Sequence, residues 1–290
     1  MPLAGLQVAM TRTRARRQRR ALVRVWSWFT FVGWLGLSTG LAAQTLCPAD
    51  RIDEQVRTVL AYDGDTVTLS DGRRVRLIGI DTPELGRQGQ PHQAGALAAR
   101  DRLRQLIFSH QQRLDLRFDA EREDKYGRLL AHAFFSDGGN LVEQLLSEGT
   151  GTHIVVPPNT WQADCYQRAT HSARQQRRGL WALPDYQPTP VEQLTLRTEG
   201  FHIVRGRVSH ISDSASAVWI NFIGNFAARV ERQDLPQFGN FDFKRLVGNT
   251  LDAQGWLYTR SGQVRMRVRH PSALEVVNHV TPAARITPVK

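Results

Sequence analysis

At 290 residues the chain can bury more than one hydrophobic core, and two domains fit its length better than one. Its formal net charge of +11 is unevenly placed: residues 1–43 hold seven arginines and no acid, residues 44–199 net −2 and residues 200–290 net +6. Two cysteines rule out a cysteine-built zinc centre, and the nine histidines lack the paired spacing of a zinc or nickel-type site.

Residues 1–43 have the pattern of an export signal. Arginines end at Arg24, Trp26 to Leu37 are mostly apolar, and Ser38 to Ala43 supply small residues for cleavage. The apolar run is shorter than the ~20 residues a membrane-spanning helix needs, so an uncleaved anchor is the competing reading. Arg19-Arg20 is a weak match to a twin-arginine signal. A membrane partner is expected only if this segment is retained. Cys47 and Cys165 follow it, and in an oxidising compartment they are a candidate disulfide; two unpaired thiols are the alternative.

Gln55 to Leu60 begin a strand. Asp63-Gly64-Asp65 reads as a turn, Thr66 to Leu69 alternate as a strand, and Asp71-Gly72 signals a hairpin. Val75, Leu77, Ile78 and Ile80 form the return strand, which Asp81-Thr82-Pro83-Glu84 ends because Pro83 cannot donate to a ladder. A hairpin with acids at its start and far end brings Asp65 and Asp81 together to share one hard cation, and Arg76 on the returning strand is placed to hold a phosphate.

Ala94, Leu97, Ala98, Leu103, Leu106 and Ile107 mark the face of a first helix. Leu114, Leu116 and Phe118 alternate as a strand, and Asp119 to Asp124 read as an exposed acidic loop. After Arg128, Leu129 to Phe135 form a strand. Asn140 caps a second helix, with Leu141, Val142, Leu145 and Leu146 inward, that Gly149 ends. A third helix is expected from Asn159 or Thr160 to Arg178, with Trp161, Tyr166 and Trp181 packing around it.

Three motifs in order, Asp63-Gly64-Asp65-Thr66, Arg76 to Glu84 and Asp124-Lys125-Tyr126-Gly127-Arg128, together with Arg178-Gly179-Leu180-Trp181, give a chain that resembles the staphylococcal (thermonuclease-like) nuclease family from about Arg57 to Trp181. The resemblance implies an OB-fold, a five-stranded Greek-key barrel that the strand count also fits. It implies a calcium-dependent nuclease hydrolysing DNA and RNA and leaving 3′-phosphates. Asp65, Asp81 and the carbonyl of Thr82 would hold Ca2+, with Asp63 behind them shaping the turn. Glu84 would activate or orient the attacking water, and Arg76 and Arg128 would clamp the phosphate. Lys125 and Tyr126 match positions beside the bound nucleotide, although Tyr126 reads equally well as a packing residue. Where the family's best-known members carry tyrosines after the second helix, this chain has Thr152 to Pro158, with His153 expected to be exposed and uninvolved.

The fold class is therefore mainly β with helices (α+β). The expected organisation is a signal or anchor at 1–43, the nuclease-like barrel at 44–181, a proline-containing linker at 182–199, a β-rich and OB-like domain at 200–280 and a tail at 281–290. Arg205, Arg207, Arg265, Arg267 and Arg269 alternate on two strands of that second domain. They suit a phosphate-tracking surface or the wet face of an antiparallel sheet. The competing functions are a catalytically silent nucleic-acid-binding module and a cell-envelope interaction module; no stable protein partner is inferred.

Overall fold

The computed structural model describes residues 47–86 and 88–277; the signal or anchor expected at 1–43 and the tail expected at 281–290 lie outside the described residues. The first half is built on a closed barrel whose strands run in the order β1-β2-β3-β6-β5. These are Glu54–Ala61, Thr66–Leu69, Arg74–Leu77, Leu129–Phe134 and Arg113–Glu123. Alternation drives the closure: Val67, Leu69, Val75, Leu77, Leu114 and Leu116 all point into one core and are at most 1% exposed. A pair of two-residue strands, β4 (Ile80–Asp81) and β7 (Thr152–His153), lies beside the barrel.

Three helices cover this core. Helix α1 (Ala96–Ser109) begins at Gly95, whose φ of 89° is in the left-handed region. It buries Ala96, Ala99, Leu103, Leu106 and Ile107, while Leu97 and Ala98, expected on the inner face, are exposed. The inward face is set by the first turn starting at Ala96. Helix α2 (Leu141–Glu148) starts where Asn140 accepts a hydrogen bond from the Glu143 amide, at 3.0 Å, and stops at Gly149 in the left-handed region.

Helix α3 (Ala163–Gln175) is shorter than the sequence pattern suggests. Asn159 is drawn away from helical geometry because its amide brackets Glu121, accepting from the Glu121 amide and donating to its carbonyl at 2.8 and 2.9 Å. At the other end Arg177 takes a positive φ. The segment Asp119 to Asp124 also differs from the expected loop: β5 continues through Glu123, and Asp119 accepts from the Trp161 amide at 3.0 Å and pairs with Arg117 at 3.3 Å.

The second half repeats the first half's strand order. Strands β9 (Gly200–Asp213), β10 (Ala217–Phe222), β11 (Phe226–Glu231), β13 (Gln263–Arg267) and β12 (Thr250–Arg260) pair in that sequence, and β12 returns to β9. In both barrels the third strand runs parallel to the fifth, β3 with β6 and β11 with β13. The shared topology answers the expected OB-like character of this region.

Residues 182–199 are not a bare tether. They form short turns and a strand, β8 (Thr189–Pro190), that pairs with β9, and Val191 is buried in the second core. The two barrels also meet through Arg174 on α3, which binds Asp252 at 2.5 Å and Glu275 at 2.6 Å. Asp252 is only 3% exposed and is shared with Arg205 at 2.6 Å. Cys47 and Cys165 are joined as a disulfide, tying the segment before β1 to α3 across a sequence separation of 118. Among the described residues no helix is long and apolar enough to cross a membrane.

Candidate active site

The hairpin of β2 and β3 with the turn before it assembles a dense group of charges. Asp63 accepts a hydrogen bond from the Asp65 amide at 3.1 Å, which folds the turn back on itself. Gly64 between them is required by close approach: a Cβ there would lie 2.7 Å from Oγ1 of Thr82. Asp65 is almost wholly buried. One of its oxygens accepts from both the amide and the hydroxyl of Thr82, each at 2.9 Å, and the other accepts from Thr66 at 3.1 Å.

Arg76 is the hub. Its Nη1 donates to the carbonyls of Leu77 and Ile80 at 2.8 and 2.7 Å, and these bonds hold the guanidinium plane. Nη2 then reaches Asp81 at 2.9 Å, and Nε lies 3.2 Å from Asp65. Leu77 closes β3 and Ile80 opens β4 directly before Asp81, so the two carbonyls bracket the turn that leads to Asp81.

Four carboxylates surround this one guanidinium, and their charges show it. Burial pushes Asp81 up to about 7, with Asp65, Glu84 and Asp63 adding to the rise and Arg76 opposing it. Asp63 is pushed up to about 6, first by burial and then by Asp65. Burial alone would lower Arg76, but Asp65, Asp81, Asp63 and Glu84 together hold it above its ordinary value. Glu84 stands at the exposed lip; its amide donates to Gln93 at 2.8 Å.

The structure brings Asp63, Asp65, Arg76, Asp81, Thr82 and Glu84 together. It places Arg128, Lys125 and Tyr126 in a second group. Arg128 lies one residue before Leu129, which pairs with Val75, but its guanidinium is held by Asp124 at 2.7 Å. Tyr126 is 63% exposed, with Lys125 5.0 Å and Arg128 5.6 Å from its ring. This cationic and aromatic turn is available to solvent rather than packed.

His153 corrects an expectation. It is 3% exposed, not free, because β7 pairs it with Ile80 and its Nδ1 donates to the carbonyl of Gly79 at 3.0 Å. The side chains of Thr66 and Thr82 were not anticipated as partners of Asp65; both follow an aspartate directly, which is the only local sign of their role. The second-barrel arginines are mostly occupied. Arg205 pairs with Asp252, Arg267 and Arg269 with Asp234, and Arg207 donates to the carbonyl of Gly248. Arg265 stacks 4.8 Å from Trp219. They fit the wet face of a sheet better than a line of free phosphate anchors.

The donor set suits a hard divalent cation. Four acids exceed the single arginine among them, and burial holds two of the acids toward neutrality until positive charge arrives. Among the described residues no three carboxylates, imidazoles or thiols converge as a complete cage. A cation here would rest on two aspartates and backbone oxygen.

Residues 74–183 match the family model described as staphylococcal nuclease homologue. Over 122 residues the chain is 35% identical to the thermonuclease of Staphylococcus intermedius, spanning 41% of this chain and 71% of that protein. The chain belongs to the staphylococcal nuclease homologue family. It is also 34% identical over 131 residues to two Bacillus subtilis proteins, the SPbeta prophage-derived endonuclease YokF and endonuclease YncB. Those matches span 43% of this chain and 43% and 61% of the two relatives. The family match takes in β3, β5, β6 and the three helices, and with them Arg76, Asp81, Thr82 and Glu84; β1, β2, Asp63 and Asp65 precede it.

Proposed function

We propose that this protein is an exported, calcium-dependent nuclease that hydrolyses phosphodiester bonds of DNA and RNA and leaves 3′-phosphates. As a member of its family the chain is a hydrolase of nucleic-acid phosphodiesters. The observation that carries the finer reading is Arg76, fixed by two backbone carbonyls between Asp65 and Asp81, with Glu84 exposed at the lip of the same cluster.

Asp65, Asp81 and the carbonyl of Thr82 would hold calcium, which supplies charge neutralisation to a phosphate when bound. Asp63 keeps the turn in shape through the Asp65 amide. Arg76 presents a planar, pre-oriented donor to the phosphate oxygens; because its plane is already fixed, little reorganisation accompanies the growth of charge in the transition state. Glu84 is the one carboxylate of the four open to solvent, so it is the group that can take a proton from an attacking water. Arg128 exchanges Asp124 for the phosphate, and Tyr126 and Lys125 meet the adjoining nucleotide. The disulfide supports export, since such bonds persist in oxidising compartments. The segment 1–43 would serve as signal or anchor.

The test is cleavage of single-stranded DNA and RNA in calcium and in EDTA by wild type and Glu84→Gln, with end-group analysis of the products. We expect calcium-dependent cleavage, 3′-phosphate ends, and a loss of about 10²–10⁴-fold in the variant. A folded protein without activity in any divalent metal would leave only a binding role, and full activity in Glu84→Gln would reject this carboxylate as the base.

A further inference from the structure

A groove of about 320 Å³ runs between residues 153–156, at the end of β7, and the outer face of the second barrel. Strand alternation lays down its barrel wall. Leu251, Ala253 and Leu257 of β12 point into the second core, so Gln254, Trp256 and Tyr258 point outward. Trp256 pairs across the sheet with Phe201 of β9, and their ring centroids are 5.5 Å apart. Trp256 is 44% exposed, more than any other tryptophan among the described residues. Phe201, Trp256 and Tyr258 line the groove together with Arg267 and Arg269, and its lining includes no acid.

Two paths join this groove to the carboxylate cluster. Strand β7 pairs with β4 and sets Thr152 against Asp81, and the next carbonyl, that of His153, accepts from the side chain of Gln254 at 3.3 Å. Gln254 and Trp256 are alternate residues on one face of β12, about 7 Å apart. The second path is aromatic. Phe201 lies 6.1 Å from Tyr186, and burial followed by the charge of Asp81 pushes the Tyr186 hydroxyl up to about 12. Both paths begin at Asp81 and end at Trp256.

The lining selects an occupant. Exposed aromatic rings take flat π systems, and two guanidinium groups without a carboxylate on the same wall favour an anion. Arg267 and Arg269 are both held by Asp234, so stacking rather than phosphate capture supplies most of the attraction. The substrate of a nuclease is a polymer of flat bases and phosphates that continues beyond the bond being cleaved. Bases in a duplex already stack on one another, so only unpaired bases have faces to offer. We infer that this groove holds the single-stranded continuation of the nucleic-acid substrate, its bases stacked on Trp256, Phe201 and Tyr258 and its backbone beside Arg267 and Arg269. That the strand leads from Asp81 rests on the nuclease reading; the chemistry of the groove does not.

The experiment measures binding of the full chain to fluorescein-labelled oligothymidylates by anisotropy, in EDTA and at about 0.1 M salt. The probes are a dinucleotide, a single-stranded twelve-mer, which is within the ~4–16 nucleotides that an OB barrel covers, and a duplex of the same length. We expect the twelve-mer to bind roughly tenfold more tightly than either other probe, and Trp256→Ala to weaken the twelve-mer roughly tenfold. Trp256→Phe, which keeps a ring, should recover most of that loss. Tyr258→Ala, altered elsewhere on the same wall, should weaken the twelve-mer in the same direction and carries the test if Trp256→Ala does not fold. Twelve-mer affinity unchanged in a folded Trp256→Ala would overturn the inference and leave the groove to a protein segment. So would a duplex bound as tightly as the single strand. Cleavage in calcium is read separately: an active nuclease whose binding ignores Trp256 sinks only this inference. An inactive protein that binds the twelve-mer through Trp256 upholds the groove while removing the nuclease reading.

Discussion

Replacing Arg76 with glutamine should destabilise the metal-free protein and make it unusually responsive to calcium. The guanidinium stands 2.9 Å from Asp81 and 3.2 Å from Asp65, with the three side chains 16%, 24% and 8% exposed. At an effective dielectric constant of about 20, each contact is worth roughly 5 kcal/mol of gross attraction, and desolvation offsets much of it. Removing one partner of such a buried group is expected to cost about 3–5 kcal/mol, because the aspartates are left without compensation. The cost is capped by protonation. Asp81 is already pushed up to about 7, and losing the arginine raises it further. A carboxyl raised in the folded state is favoured at low pH and loses stability as pH rises through its folded value, so the deficit should be small near pH 5 and full near pH 8. Thermal unfolding in EDTA at both values measures it; at about 2–4 °C per kcal/mol for a chain of this size, the pH 8 shift is on the order of 10 °C. Calcium should restore more stability to Arg76→Gln than to wild type, since the removed charge is the one that repels the ion. Activity should stay low, because calcium does not replace the donor to phosphate. A variant that melts with wild type in EDTA at pH 8, or gains no more than wild type from calcium, would refute the account.

Two further outcomes follow from buried groups elsewhere in the molecule. His153 is pushed down to about 4 by burial, so it costs nothing at pH 7 and weakens the fold as pH falls from the unfolded value near 6.5 toward 4. The full effect is roughly 3 kcal/mol. His153→Asn, which keeps a donor toward the Gly79 carbonyl, should lose this acid sensitivity in denaturant titrations from pH 7 to 4. Parallel curves for variant and wild type would contradict it. Cys165→Ser opens a link spanning 118 residues and should lower stability by up to about 5 kcal/mol in a chain-entropy picture, read from urea midpoints with and without reductant. The variant should be insensitive to reductant; equal reductant sensitivity in both proteins would assign the effect to something other than this bond.

Much of the nuclease barrel is legible in local pattern because periodicity encodes faces. Alternation in Thr66–Leu69 and Arg74–Leu77, the cap at Asn140 and the stop at Gly149 need only neighbours within a few residues. The acids at both ends of the hairpin and Arg76 between them could be read the same way. Their closeness follows from a short connection, and the sequence by itself determined that these groups would share one end of the barrel. Tertiary structure decided what each charge is paired with. Asp252 answers Arg174 from 78 residues away, Arg128 is turned to Asp124, and His153 is buried by a two-residue strand whose partner lies more than 70 residues earlier. No window of sequence carries those partners. The identity of a face is local, but the identity of a neighbour depends on how the whole chain closes. That is why the carboxylate cluster could be anticipated from its residues, whereas the pairing of Arg174 with Asp252 emerged only when the second barrel was set against α3.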